Sequence, residues 1–242
     1  MTFFQEQLIK TCNMNEATKN QITDTHAEIF EKMTTFFLET NKTLNLTAIK
    51  DTDGVILKHI VDSVAIVPYI ENVSKVADIG CGGGFPTFPI AILRGDVCVF
   101  SVDSVTKKVE YVKKCAEHLG LKNISVSNER AEVLGNDPKY RESFDVVTAR
   151  AVGRLNLICE LCLPLVKVGK YFIAMKAQTT DEEIAEAENA INTLGGKLEK
   201  VKRYTLTNGT ETLERTLVII KKETKTPQGY PRNNSQISKK PL

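Results

Sequence analysis

Short apolar segments alternate with segments of helical periodicity from about residue 76 to residue 222. Helices are predicted over residues 86–94, 106–119, 154–167 and 181–194. The predicted strands are KVADI (75–79), VCVFSV (97–102), ISVS (124–127), FDVVTA (144–149), YFIAMK (171–176), VKRYTL (201–206) and RTLVIIKK (215–222). Strands that alternate with helices form a mostly parallel sheet with helices on both faces. The pattern therefore predicts an α/β fold around a seven-stranded sheet.

The last two predicted strands are an exception, because only TNGTETLE (207–214) separates them. Eight residues are too few for a helical crossover and fit a hairpin. The sheet is therefore expected to be parallel with one antiparallel strand at its end.

The chain divides by pattern into three regions. Residues 1–70 carry apolar side chains at helical spacing, among them Ile22, Ile29 and Met33, which predicts an N-terminal helical extension packed on the core. Residues 71–222 form the predicted core. Residues 223–242 are polar, basic and contain proline, which is typical of a flexible tail. Such a tail is either a solvated terminus or an arm that contacts phosphates.

The composition is that of an ordinary globular protein and not that of a strongly basic nucleic-acid-binding protein. The net charge is only +2 over 242 residues. No stretch approaches the length of a membrane span, and MTFFQEQLIK lacks the order of a signal peptide, so a cytoplasmic protein without a membrane partner is predicted. Cys159 and Cys162 form a C-x-x-C, but no second Cys or His pair accompanies them, so no metal site is expected.

A glycine-rich loop follows the first predicted strand, in VADIGCGGGFP (76–86). In open α/β sheets, ligands bind at the carboxyl ends of the strands, where this loop lies. A nucleotide-binding P-loop is excluded because the loop has no lysine. A dinucleotide fingerprint is excluded because its third glycine would fall on Phe85 or Thr87, and because Asp78 would repel a pyrophosphate.

S-Adenosylmethionine remains as the ligand that fits this loop. It has no phosphate, and Asp78 suits its cationic groups, while the bare backbone of Gly80, Gly82 and Gly84 permits a close approach. Asp103 ends the next strand, 19 residues after Gly84, near the usual spacing of an acid that binds ribose hydroxyls. The simpler alternative is that the glycines only form a tight strand-to-helix turn.

At this point the chain resembles, along nearly its whole length, the bacterial small-subunit ribosomal RNA guanine-N7 methyltransferases. The matching segments are LNLTAIKD (44–51), HIVDSV (59–64), VADIGCGGGFPTFPIAI (76–92), VDSVTKK (102–108), FDVVTARAV (144–152), PLVKVGKYFIAMKAQ (164–178) and the tail YPRN…KPL. The resemblance implies the class I, Rossmann-like S-adenosylmethionine-dependent methyltransferase fold. The departures are Cys81, Thr87 and Ala177, which replace commoner small residues without removing a charged group.

The resemblance also implies site residues and a partner. The family's cofactor positions fall on Gly80, Phe85, Ala131, Glu132 and Arg150. Phe85 has a core role as its alternative, and Glu132 a solvated position at a helix start. The implied partner is 16S rRNA or the small ribosomal subunit, bound by a monomer. The residues expected to contact RNA are Arg150, Arg154, Lys176 and Arg232.

The exit of the fourth strand, TARAV (148–152), bears on the methyl acceptor. Enzymes that methylate exocyclic amines resemble one another in an Asn/Asp-Pro-Pro-aromatic motif at this place, and pyrimidine-C5 enzymes need a cysteine nucleophile there. Neither occurs. Guanine N7 needs neither device, since its lone pair is free. The family resemblance therefore implies methylation of guanine N7 in the decoding-region loop.

Two other functions stay open from the sequence. One is methylation of a small molecule, and the other is an assembly factor that binds S-adenosylmethionine without catalysis. The first would be favoured by methylation of a metabolite and not of ribosomal particles, and the second by cofactor binding without turnover on any RNA.

Overall fold

The structure is a computed structural model, and it describes residues 1–72, 74–179 and 181–242. Its strands are β1 (Lys75–Ile79), β2 (Cys98–Val102), β3 (Ile124–Ser127), β4 (Phe144–Arg150), β5 (Val166–Lys176), β6 (Gly196–Thr207) and β7 (Thr212–Lys222). Its α-helices are α1 (Phe3–Asn13), α2 (Asp24–Leu44), α3 (Thr52–Val55), α4 (Asp62–Val64), α5 (Thr87–Leu93), α6 (Thr106–His118), α7 (Ala131–Asn136), α8 (Leu155–Cys162), α9 (Asp181–Glu186), α10 (Glu188–Thr193) and α11 (Asn234–Lys239). A π-helical stretch, Ile56–Val61, joins α3 to α4.

The strands form one seven-stranded sheet in the order β3-β2-β1-β4-β5-β7-β6. The pairs β1·β2, β1·β4, β2·β3 and β4·β5 are parallel, and β7 is antiparallel to both of its neighbours. The predicted α/β fold with a C-terminal antiparallel hairpin is confirmed. The expected place of the antiparallel strand is wrong, because β7 lies between β5 and β6 instead of at the edge.

Two helix predictions need correction. The predicted helix 154–167 ends at Cys162, because Val166 already pairs with Phe144 as the first residue of β5. The predicted helix 181–194 is two short helices, α9 and α10. In both places the apolar periodicity continues past the interruption, because a local break in a helix carries no periodic signal.

The N-terminal helices pack on one face of the sheet. Thr23 caps α2 in a reciprocal capping box with His26, and the buried side chains of α2 recur at three- to four-residue intervals, including Phe30, Met33 and Phe37. These side chains share a buried cluster with Phe88 of α5 and with side chains of α6. The extension thus covers the helix that follows the glycine loop. A domain boundary near residue 70 stays a prediction.

The C-terminal segment differs from the expected flexible tail. Its α11 buries Ile237 completely, in the same cluster as side chains of α8. Arg232 forms an ion pair with the fully buried Glu160 at 2.6 Å. A buried carboxylate needs such a partner, and composition alone does not reveal it. Residues 226–237 are therefore docked on the core.

No helix among the described residues is long and apolar enough to cross a membrane. In the same part of the chain, no three His, Cys, Asp or Glu side chains cluster as metal ligands would. Cys159 and Cys162 are fully buried, and burial raises the pKa of both thiols.

Candidate cofactor cleft and active site

The glycine loop is fastened to the exit of β2 by its own backbone. The amides of Gly80 and Cys81 donate to the Val102 carbonyl at 2.8 and 3.0 Å. The amide of Gly82 donates to the Asp103 carboxylate at 3.1 Å. The carboxyl ends of β1 and β2 are thus joined at the edge of the sheet where ligands bind in this fold class.

The three alternate glycines have different surroundings, although all three have positive φ. A Cβ on Gly80 would lie 2.5 Å from Val152, and a Cβ on Gly84 would overlap with the Phe88 ring. At Gly82, by contrast, the nearest atom to an added Cβ is 3.9 Å away. Two glycines therefore serve close packing. Gly82, whose amide donates to Asp103, has open space where a side chain would stand.

A cleft of about 160 Å³ lies at these strand ends. Four of the predicted cofactor residues line it, namely Gly80, Asp103, Ala131 and Glu132. Asn234 of α11 lines it as well, and sequence reasoning missed that residue. A larger cavity of about 500 Å³ lies beside α2, but neither the glycine loop nor a strand lines it.

Asp103 is held in a fixed orientation at the cleft. One carboxylate oxygen accepts from the Gly82 amide, and the other accepts from the Val105 amide at 2.9 Å. Lys108 lies 3.7 Å from the carboxylate. Each oxygen has a second lone pair, so Asp103 can still accept from the hydroxyls of a ribose.

Asp78 lies beneath the loop and does not line the cleft. One of its oxygens accepts from the Thr87 hydroxyl at 2.6 Å and from the Thr87 amide at 3.2 Å. The other oxygen is buried and has no hydrogen-bond partner in the described part of the chain. Burial raises the pKa of Asp78 to about 6, while the Thr87 hydroxyl opposes the shift. Near neutral pH the ionised carboxylate of Asp78 therefore places a negative charge beneath the loop.

Phe85 belongs to the core by its side chain and to the site by its backbone. Its ring stacks on His59 at 4.7 Å and meets Phe37 edge-on at 5.3 Å, and it is almost fully buried. Its carbonyl accepts from Arg150 Nε at 3.2 Å. The alternative role of Phe85 as a core residue therefore applies to its ring, whereas its carbonyl contacts Arg150.

Arg150 connects the glycine loop to the N-terminal extension. Besides the Phe85 carbonyl, its guanidinium donates to the Lys58 carbonyl at 2.9 Å, to Asp62 at 3.1 Å and to His59 Nδ1 at 3.1 Å. Burial and the charge of Arg150 lower the pKa of His59 to about 3, so the imidazole is neutral and accepts this bond. Four of the five guanidinium N–H groups are thus used within the protein.

Arg215 of β7 is a second residue that sequence reasoning missed. Its Nε donates to Asp62 at 2.8 Å, so one carboxylate joins Arg215 to Arg150. The three residues connect the extension, the exit of β4 and the hairpin. Local sequence carries no signal for this contact, because Asp62 and Arg215 are 153 positions apart.

The remaining basic residues that are expected to contact RNA differ in their exposure and in the partners that already hold them. Arg154 is 67% exposed and pairs with Glu186 at the surface. Lys176 is only 15% exposed, because it bonds the Gly153 carbonyl at 2.8 Å and Glu183 at 2.7 Å. Arg232 holds Glu160, which gives it a structural role, and its expected contact with RNA stays a prediction.

These residues fit S-adenosylmethionine in two respects that the geometry shows. Open space remains at Gly82, and an acidic side chain at each of the next two strand exits can accept from hydroxyl or amine groups. Cys81 offers no nucleophile, because burial raises the pKa of its thiol well above the ordinary value. The cleft therefore supports cofactor binding and not covalent catalysis by this cysteine.

Fold and cleft together define a class I S-adenosylmethionine-dependent methyltransferase. Solved structures share the fold. The YcgJ protein of Bacillus subtilis superposes with a TM-score of 0.53 at 14% identity, over 69% of this chain and all of its own. The TYW2 protein of M. jannaschii, solved in complex with AdoMet, superposes at 0.50 and 14% identity, over 64% of this chain and 73% of its own.

Sequence comparison narrows the class to a family. The rRNA small subunit methyltransferase G family matches residues 26–213. The relative from Staphylococcus carnosus is 40% identical over 98% of both chains, and the one from Caldicellulosiruptor bescii is 43% identical over 93% of this chain and 94% of its own. Both are called ribosomal RNA small subunit methyltransferase G. This chain belongs to that family, as the sequence resemblance predicted, and S-adenosylmethionine is its cofactor.

Proposed function

We propose that the protein transfers the methyl group of S-adenosylmethionine to N7 of a guanine in the decoding-region loop of 16S rRNA. The observation that carries this proposal is the cleft at the exits of β1 and β2, in a chain that is 40% identical over 98% of its length to a ribosomal RNA small subunit methyltransferase G. The choice of N7 is supported by the exit of β4, which has TARAV where amine- and carbon-methylating enzymes carry their reactive motifs.

The reaction needs no general base. When bound, the cofactor supplies an electrophilic methyl carbon on a sulfonium. The N7 lone pair would form a bond to that carbon while the carbon–sulfur bond breaks, which would leave its electron pair on sulfur and the positive charge on the base. No proton is moved, so alignment of donor and acceptor supplies the catalysis.

The chain's own residues have binding and orienting roles in this proposal. Asp103 binds the ribose, Gly82 leaves room for the ligand, and Ala131 and Glu132 form the wall at the adenine. Arg150 holds the loop that carries these contacts against the extension. Because four of its N–H groups are already used, Arg150 acts as a positioning residue, and a two-pronged contact to RNA would require present bonds to break.

The test is methyl transfer to small-subunit RNA from cells that lack this gene, compared as naked RNA and as assembled subunits. Tritiated methyl incorporation, followed by nuclease digestion and chromatography of the nucleosides, should give 7-methylguanosine. Methylation of a metabolite and not of either RNA would support the small-molecule alternative. Cofactor binding without turnover on any RNA would support the assembly factor.

A matched pair of glycine variants tests the cleft. Gly82 (φ +54°) and Gly120 (φ +67°) both have a backbone conformation that side chains disfavour, and both have open space around an added Cβ. Gly82→Val should weaken S-adenosylmethionine binding at least tenfold by calorimetry, because the side chain fills the ligand's approach. Gly120→Val carries a comparable backbone strain at a residue that follows α6 and does not line the cleft, and it should bind normally. Equal affinities for the two variants would refute the assignment.

Three further expectations stay predictions: action as a monomer, absence of a metal from the reaction, and a cytoplasmic location. Light scattering of the purified protein, with and without RNA, measures the first. Activity after dialysis against a chelator measures the second. Fractionation of cells with an antibody to the protein measures the third.

A further inference from the structure

Asn234 lines the cofactor cleft although it lies more than 120 positions beyond Asp103 in the chain. It is the first residue of α11, in the segment whose composition predicted a flexible tail. Asn234 can therefore contribute to ligand binding only if the segment around it is held in place. Four sets of contacts fix it.

The first set is centred on a buried carboxylate. Glu160 of α8 is fully buried, and it accepts from the Arg232 amide at 2.8 Å, from Arg232 Nε at 2.8 Å and from Arg232 Nη2 at 2.6 Å. Charge-assisted, two-pronged bonds of this kind are strong and directional. Arg232 lies two positions before Asn234 and sets the start of α11.

The second and third sets hold residues 226–230. The guanidinium of Arg141 donates to the carbonyls of Gly135, Thr226, Pro227 and Tyr230 at 2.7–3.2 Å. Lys222 is completely buried, and its ammonium donates to the Leu163 carbonyl and to the Thr226 hydroxyl. These bonds satisfy backbone carbonyls that a loose tail would leave to solvent.

The fourth set joins the segment to α7, which carries two cleft residues. The Asn136 amide donates to the Pro231 carbonyl and to the Glu132 carbonyl, both at 2.9 Å. Pro231 packs on Gly135 so closely that a Cβ there would lie 2.7 Å from the proline ring. These contacts therefore fix the position of Asn234 relative to Ala131 and Glu132.

We propose that the carboxamide of Asn234 forms hydrogen bonds with the edge of the cofactor's adenine that carries the 6-amino group. The inference rests on the proposed adenine position at Ala131 and Glu132. Adenine presents an amino donor beside a ring-nitrogen acceptor, and an asparagine amide pairs with that edge by two hydrogen bonds. The carboxylates of Asp103 and Glu132 can only accept, and Asn234 is the one carboxamide among the described residues that line the cleft.

The test is calorimetric binding of S-adenosylhomocysteine and of its analogue that lacks the 6-amino group. Asn234→Ala should weaken binding of the first ligand about tenfold, which is the loss of one or two hydrogen bonds. Removal of the 6-amino group should weaken binding to the unaltered protein several-fold and should not weaken binding to Asn234→Ala any further. Such coupling between a side chain and a ligand group identifies a direct contact.

The controls separate this inference from the cleft itself. Ser235→Ala changes the next exposed residue, which does not line the cleft, and should bind both ligands normally. Normal binding by Asn234→Ala together with loss by Gly82→Val would overturn the role of Asn234 and leave the cleft intact. Normal binding by both variants would overturn the cleft assignment. A loss in Asn234→Ala that is independent of the 6-amino group, or a loss with a lowered melting temperature, would overturn the hydrogen bonds with adenine.

Discussion

Asp78 is a buried carboxyl at the base of the glycine loop, and its ionisation costs free energy because the charged form loses solvation. Burial is the largest cause of its raised pKa of about 6, and an ordinary aspartate has a pKa near 3.8. The folded state therefore binds this proton more tightly than the unfolded chain does. The resulting stabilisation is complete below the ordinary value and is lost as the pH rises through about 6. Near neutral pH the fold retains a charged, buried carboxylate beside the cofactor's loop.

Asp78→Asn should remove this dependence on pH. The free energy of unfolding of the variant, minus that of the unaltered protein, should grow by about 2–3 kcal/mol between pH 4 and pH 8, since one pKa unit is worth about 1.4 kcal/mol. Urea denaturation at a series of pH values measures the difference. Thr87→Val removes the hydroxyl that opposes the shift, so its own transition should move to higher pH. A difference between Asp78→Asn and the unaltered protein that stays constant with pH would contradict the burial argument.

At the scale of elements, the C-terminal segment is stabilised by its ion pair more than by its length. Arg232→Ala leaves the Glu160 carboxyl without its partner inside the core, and loss of one partner of a buried pair costs about 3–5 kcal/mol. Because the Arg232 side chain keeps 21% of its surface exposed, we expect the lower end, about 3 kcal/mol, by urea denaturation.

A double variant distinguishes a buried charge from a lost contact. Glu160→Leu combined with Arg232→Met removes both charges and should recover most of the lost stability, because matched apolar groups substitute well for buried ion pairs. If the double variant were as unstable as Arg232→Ala, the cost would lie in packing and not in charge. Deletion of residues 227–242 would remove both this ion pair and the wall of the cleft at Asn234.

The elements that the sequence predicts well are those whose signal is local. β3 coincides with the predicted ISVS, and the loop and Asp103 follow from spacing at strand exits. β5 begins five residues before its predicted start, because an irregular pairing of Phe144 with Val166 extends it. The position of β7 inside the sheet and the Glu160–Arg232 pair were missed, since each depends on partners far apart in the chain, 72 positions for the pair.

At the scale of the whole molecule, Arg150, Asp62 and Arg215 form the junction of extension, core and hairpin. Arg150→Ala should lower methylation at least tenfold, and should also weaken S-adenosylhomocysteine binding, because the Phe85 carbonyl and the extension lose their shared donor. Arg150→Lys should recover only part, since one ammonium cannot reach four acceptors in a planar arrangement. Methyl incorporation and calorimetry on the same preparations measure both effects.

The same variants distinguish positioning from contact with RNA. If Arg150 instead binds the acceptor, cofactor affinity will be unchanged and the KM for RNA alone will rise. Asp62→Asn provides the comparison, because it removes the negative charge at the junction and keeps the side chain's size. It also loses one of the two hydrogen bonds, since its amide nitrogen donates and cannot accept from an arginine. Its effect should be in the same direction as that of Arg150→Ala and smaller.

The docked C-terminal segment has a consequence for the order of events during synthesis. The glycine loop is made about 150 residues before Asn234, which at about 5–20 residues per second is roughly 8–30 seconds earlier. Until then, a nascent chain has the loop, Asp103 and Glu132 but lacks the wall of the cleft that Asn234 forms. The cleft therefore gains its last lining residue only when translation has passed residue 234, long after the glycine loop has been made.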